Sequence, residues 1–108
     1  MLVFCSMETL YHITTGAEAD QGRDAGSYTA PSLSTEGFIH CAFEHQVAGV
    51  LERYYQGMDD LVMLTIDPTA LASVLKLENT TGGEEQFPHV YGPIPWTSVV
   101  AVGSVPAR

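Results

Sequence analysis

Along this chain the apolar positions fall into short alternating runs, separated by clusters of glycine, proline and polar residues. Thr9–Thr14 (T-L-Y-H-I-T) alternates and is rich in β-branched and aromatic side chains, which predicts a strand. Tyr11 and Ile13 would point to one face of it, and His12 and Thr14 to the other. Thr15-Gly-Ala-Glu18 has capping-box spacing and predicts a short helix, weakened by Gly16 and Gly22. Residues 26–34 carry Pro31 and several small side chains, and read as a surface excursion. Gly37–Phe43 (G-F-I-H-C-A-F) predicts a second strand with Phe38, His40 and Ala42 on one face. The clearest helix spans Glu44–Gln56: Val47, Val50, Leu51 and Tyr54 follow the i, i+3, i+4, i+7 spacing, and Gly57 stands where a terminating glycine belongs.

The second half predicts mainly strands. Leu61–Ile66 is continuously apolar, as a strand covered on both faces would be. Asp67-Pro68 ends it and opens a short turn of helix through Ala72. Val74–Glu78 is a further strand, with Lys76 and Glu78 on one face. Residues 79–86 form a polar, glycine-rich loop, and Phe87–Tyr91 returns as a strand with Phe87, His89 and Tyr91 on a common side. Pro93 and Pro95 interrupt the pattern before a last strand at Ser98–Val105. Five or six strands with one firm helix and one or two weak ones do not alternate regularly, so the fold class is α+β. A length of 108 residues, with no repeat or linker, fits one domain over 1–108, in which residues 1–7, with a second methionine at Met7, are expected as a loose leader.

Charge narrows the partners. Thirteen Asp and Glu stand against four Lys and Arg, a formal −9, and Arg23, Arg53, Lys76 and Arg108 are scattered. Long nucleic acid needs a basic stripe to displace counterions, and an anionic membrane surface needs one too, so both are disfavoured. No apolar run approaches the roughly 20 residues of a membrane span. The expected compartment is therefore the cytoplasm, with Cys5 and Cys41 as free thiols. Gly82-Gly83 lacks the lysine and helix of a phosphate loop, and no G-x-S-x-G is present.

Three of four histidines, His12, His40 and His89, sit in predicted strands beside aromatic or hydroxyl-bearing residues; His45 falls on the solvated side of the helix. A strand histidine taken singly is most often structural. None has the close spacing of a zinc motif, and no metal is expected, although three dispersed histidines with Glu78 keep a metal site open in three dimensions. Cys41 follows His40 directly, but neighbours on a strand point apart, which favours a buried, inert thiol over a nucleophile. Glu78, at a strand end, reads either as an exposed terminus or as a carboxylate facing a cleft, where it would stabilise developing positive charge. Composition and spacing stop at a small α+β domain with a histidine-lined cleft.

Y-H-I-T (Tyr11–Thr14), E-G-F-I-H-C (Glu36–Cys41) and F-P-H-V-Y-G-P-I (Phe87–Ile94), with A-P-S-L (Ala30–Leu33) and I-D-P (Ile66–Pro68), resemble the family known as domain of unknown function 952 from about Leu10 to Val105. That family is grouped by fold with the ADP-ribosyltransferases and RNA 2′-phosphotransferases. The resemblance implies a bent, split β core of the ADP-ribosyltransferase-like type, with a cleft for NAD, ADP-ribose or a related nucleotide. It implies that His12 holds a ribose hydroxyl, that His40 takes the place of a stacking aromatic, and that Glu78 engages the ribose. His89 would complete the catalytic set, with Tyr11, Thr14, Phe38 and Tyr91 contacting the ligand. Two departures matter: Ile13 stands where many transferases carry glycine, and position 40 is histidine where they carry tyrosine. With only three arginines, RNA 2′-phosphotransfer is disfavoured. The implied activity is transfer or hydrolysis of the ADP-ribosyl type; the alternatives are a non-catalytic small-molecule binding module or a histidine-based metal site.

Overall fold

Strand β1 (Leu10–Thr15) passes into helix α1 (Gly16–Ala25) through Thr15, whose hydroxyl caps the helix by accepting from the Glu18 backbone amide. The computed structural model describes residues 8–71, 73–79 and 85–106; the predicted leader with Cys5, the end of the turn at Ala72, and residues 80–84 of the polar loop lie outside them. Helix α1 runs ten residues, longer than its two glycines suggested. Gly22 is there for packing: a Cβ at that position would come within 3.0 Å of the Tyr28 Cβ, so a side chain would push the helix off the strand that follows. Gly26 then ends the helix with φ of +85°.

The predicted surface excursion at 26–34 is instead built structure. It contains β2 (Ser27–Tyr28) and a short helix α2 (Pro31–Thr35), and Tyr28 is fully buried. Strand β3 is shorter than expected, only Ile39–His40. The helix expected over 44–56 opens with a 3₁₀ turn at Glu44–Gln46, and α3 proper spans Val47–Tyr54. The tight start follows from Gln46, whose side-chain oxygen accepts from the Phe43 amide while its nitrogen donates to the Gln86 carbonyl. The later strands fall at β4 (Leu61–Ile66), β5 (Val74–Glu78), β6 (Phe87–Tyr91), β7 (Ile94–Pro95) and β8 (Val99–Ser104).

All pairings are antiparallel, in three sheets ordered β1-β4-β8, β2-β7 and β3-β6-β5. The two three-stranded sheets touch through one bridge, where Tyr11 and Ala42 exchange backbone hydrogen bonds of 2.8 Å. The β core is therefore split, hinged at that bridge, and the architecture is a small α+β domain. Apolar burial divides in the same way. Leu10 packs with Tyr28, Ile39, Leu64, Val90 and Ile94, while Ile13, on the opposite side of β1, packs with Ala42, Val47, Leu51 and Leu61. Alternation along β1 thus puts His12 and Thr14 on the same side as Leu10, facing the interior, where their polar atoms must find partners.

Candidate functional site

A cleft of about 540 Å³ opens along β1. Tyr11, His12 and Thr14 line it from β1, Glu18 from α1, Tyr28 from β2, His40 from β3, and Phe87 and His89 from β6. Tyr54, Tyr55 and Met58, around the end of α3, close another side. The volume falls within the about 300–1,000 Å³ typical of small-molecule sites. Among the described residues, no lysine or arginine lines it.

His12 is held at both ring nitrogens. Nδ1 lies 2.5 Å from the His40 carbonyl, and since a carbonyl only accepts, Nδ1 carries the proton. Nε2 lies 2.7 Å from the Tyr28 hydroxyl. That hydroxyl also stands 3.0 Å from Thr14 Oγ1, which is in turn 2.6 Å from Glu18 Oε1. A chain of four side chains therefore runs from the interior to a carboxylate in the cleft. Burial pushes His12 down to about 4, against the opposing pull of the His40 carbonyl, so its imidazole is neutral near pH 7. The same burial raises the Tyr28 and Tyr55 hydroxyls above the usual tyrosine value. Tyr55 donates to the Ile13 carbonyl at 3.3 Å.

His89 is treated differently. Its Nδ1 donates to Glu78 Oε1 at 3.0 Å, and Tyr91 donates to the same oxygen at 2.5 Å. The β5–β6 register makes this possible, since Glu78 pairs with Phe87 and Lys76 with His89, bringing the carboxylate diagonally behind the ring. The Tyr91 hydroxyl first, and then His89, hold the Glu78 carboxyl below its ordinary value, and Glu78 raises Tyr91 in return. Phe38 stacks on the His89 ring at 4.2 Å with an interplanar angle of 17°, fixing its plane. Lys76 sits over the Tyr91 ring.

The structure brings His12, His40 and His89 together. The His40 and His89 rings meet edge to face at 5.1 Å, and the His40 carbonyl holds His12. The His40 side chain is itself exposed, with Nε2 3.1 Å from a Glu36 oxygen. Of the candidate ligand contacts, Tyr11 and Thr14 line the cleft, whereas Phe38 and Tyr91 pack behind His89 and Glu78 stands outside the lining. Cys41 is buried and its thiol is pushed up to about 12 by burial, an inert group as its place beside His40 on a strand suggested. Sequence reasoning missed Glu18 and Tyr28. Glu18 was visible only as a helix-capping residue; Tyr28 carried one signal, a lone large aromatic among small residues.

Among the described residues no three His, Cys, Asp or Glu side chains converge as metal ligands, and no helix is long and apolar enough to cross a membrane. No curated protein matches the sequence. The fold is similar to that of protein CC0527 from Caulobacter crescentus. Its crystal structure is 28% identical and matches with a TM-score of 0.78, over 88% of this chain and 83% of that one. Its solution NMR structure gives 28% identity and a TM-score of 0.76, covering 89% and 83%. A family model described as a protein of unknown function, DUF952, matches residues 13–102, and the chain belongs to that family.

Proposed function

We propose that the cleft binds the base-and-ribose end of a nucleotide, with NAD and ADP-ribose as the candidate ligands. The observation that carries this reading is the linked His12, Tyr28, Thr14 and Glu18 side chains along an aromatic-walled cleft of about 540 Å³. A ribose diol needs closely spaced hydrogen-bonding groups, and a base needs flat apolar walls; Tyr11, Tyr54, Tyr55 and Phe87 supply the walls. A pyrophosphate finds no lysine or arginine among the described lining residues, so the phosphates are left to solvent and the nucleoside does the binding.

A second reading, turnover at the ribose anomeric carbon, is favoured by the Glu78–His89 pair. A carboxylate behind Nδ1 leaves Nε2 to take a proton from an attacking hydroxyl or water. In this arrangement Glu78 positions His89 and does not itself meet the cation.

The test is isothermal titration of NAD, ADP-ribose and nicotinamide riboside into the wild type, His12→Ala and His40→Ala, with chromatography for released nicotinamide. Micromolar binding, about −7 to −8 kcal/mol, is expected for the wild type and at least tenfold weaker binding for His12→Ala. His40→Ala, a change at an exposed side chain, keeps the comparison valid if His12→Ala unfolds, and is expected to weaken binding several-fold. No heat with any of the three ligands overturns the reading; binding without nicotinamide release leaves the binding module and removes turnover.

A further inference from the structure

We infer that the cleft selects a positively charged ligand rich in hydrogen-bond donors, such as an aryl amidinium or a ring cation bearing a carboxamide, over a neutral or anionic ligand of the same shape. The inference deepens the nucleotide reading by fixing the charge of the group that enters, and three separate features of the site carry it.

The first is a row of linked side chains that ends in an acceptor. Three contacts join His12 Nε2, Tyr28 Oη, Thr14 Oγ1 and Glu18 Oε1, at 2.7, 3.0 and 2.6 Å. Thr14 donates to the Glu18 carboxyl group, which also lines the cleft, so its remaining lone pairs can meet a cation or an N–H group of a ligand there. The second feature is His89 Nε2. The residue is only 2% exposed, Nδ1 is committed to Glu78, and Nε2 has no partner among the described residues. Among the described residues no buried side-chain nitrogen or oxygen lacks a partner, so this nitrogen is not sealed away, and the cleft is the space that His89 lines. In the Nδ1–H tautomer that the carboxylate favours, Nε2 is the ring's acceptor, open to a donor that enters the cleft.

The third feature is charge. Two carboxylates, Glu18 and Glu36, line the cleft, and no lysine or arginine does among the described residues. His12, one of the histidines lining it, is neutral at pH 7 and offsets neither. The chain as a whole carries −9, so a cleft with low-dielectric walls concentrates cations and repels anions. Tyr11 and Tyr54 line the cleft, and a ring cation lying over either would be favoured over its neutral analogue by the aromatic quadrupole. Acceptors, negative charge and aromatic faces all favour one kind of guest.

The test uses benzamidinium, benzamide and benzoate, one ring in three charge states, titrated into the whole protein and followed by backbone and imidazole ¹H–¹⁵N shifts. These probes need no nucleoside, so the charge preference is read apart from the nucleotide proposal. The expected order is benzamidinium, benzamide, benzoate, with about tenfold between the first two, and with shifts at Thr14, Glu18 and the His89 ring. Glu18→Gln, which keeps an acceptor for Thr14, should shrink that gap to about threefold or less while backbone signals elsewhere stay unmoved. Benzoate binding as tightly as benzamidinium, an unchanged gap in Glu18→Gln, shifts confined to surfaces outside the cleft, or no shift with any of the three probes overturns the inference. Should benzoate win while NAD binds, the charge preference falls and the nucleotide reading stands; should the charge order hold while no nucleotide binds, the reverse is true.

Discussion

His12 and His89 lie in one cleft, both nine-tenths buried or more and both protonated at Nδ1, yet they are finished in opposite ways. His12 gives its proton to a backbone carbonyl and sets Nε2 against a tyrosine hydroxyl, so both nitrogens are used inside the fold. His89 donates its proton to a carboxylate that stands behind it, and keeps Nε2 without a partner among the described residues. A carbonyl offers no charge to offset the desolvation of an imidazolium, and His12 is held neutral. A carboxylate with a tyrosine on the same oxygen fixes the second ring as rigidly without closing its other edge. One histidine anchors the split between the sheets; the other presents a nitrogen to whatever enters.

Removing each ring is the most forceful way to break this comparison. His12→Ala strips the His40 carbonyl of its donor and the Tyr28 hydroxyl of a partner, and leaves a hole in the interior. The expected cost is roughly 3–5 kcal/mol in denaturant unfolding, a large share of a small domain's stability. His89→Ala loses the Phe38 stack and its buried area but orphans no backbone group, and should cost roughly 2 kcal/mol. Equal losses would mean that the two rings play the same structural part.

Acid sharpens the same distinction without mutation. Burial pushes His12 down to about 4 in the folded chain, from an ordinary value of 6.5. Between those values the unfolded chain binds a proton that the folded chain refuses. Its contribution is therefore complete above pH 6.5 and is lost as pH falls towards 4, by about 3 kcal/mol at most. Glu78, held below its usual 4.5, contributes above that value and loses its contribution as pH falls further, so the two losses follow in order. Urea midpoints measured from pH 7.5 to 4 should decline in the wild type. In His12→Gln the decline between 6.5 and 4.5 should vanish; an unchanged slope would assign it to another group.

How much of this could be read in the sequence depends on how local each cause is. The bounds of β4, β5 and β6 follow from apolar runs closed by Asp67-Pro68 and a polar loop, and the Thr15 cap from four consecutive residues. The α+β class came from the same counting. Alternation correctly put His12 and Thr14 on one face, but a face does not name a partner. Tyr28 and His12 are 16 residues apart, and only the β2–β7 pairing, beneath a helix whose Gly22 lets it approach, brings the hydroxyl to the ring. Gly22 was read as a weakness because helix propensity is local and the Tyr28 contact is not. Glu18 was read as a helix cap because its bond to Thr14 depends on the angle at which α1 leaves β1. The expected single face of Phe38, His40 and Ala42 is kept, with the Phe38 and His40 rings 4.8 Å apart and His40 and Ala42 both on the cleft, but β3 holds only two residues and His40 lies at its exposed rim, which alternation alone does not show.

The smallest expected effect on stability is also the most direct test of what separates the two rings. Glu78 is partly exposed, and Glu78→Gln keeps an oxygen able to accept from either His89 or Tyr91. The midpoint of unfolding should therefore move little. The tautomer should not survive unchanged. A carboxylate only accepts, which forces the proton onto Nδ1; a Gln amide can also donate, and then the Nε2–H form becomes equally satisfied. Imidazole ¹⁵N shifts above pH 7 should report one Nδ1–H form for His89 in the wild type and a mixture in Glu78→Gln, while His12, tied to a carbonyl, stays Nδ1–H in both. If His89 keeps a single Nδ1–H form in the variant, the strand and Phe38 orient the ring without the carboxylate, and Glu78 loses its role in presenting Nε2 to the cleft.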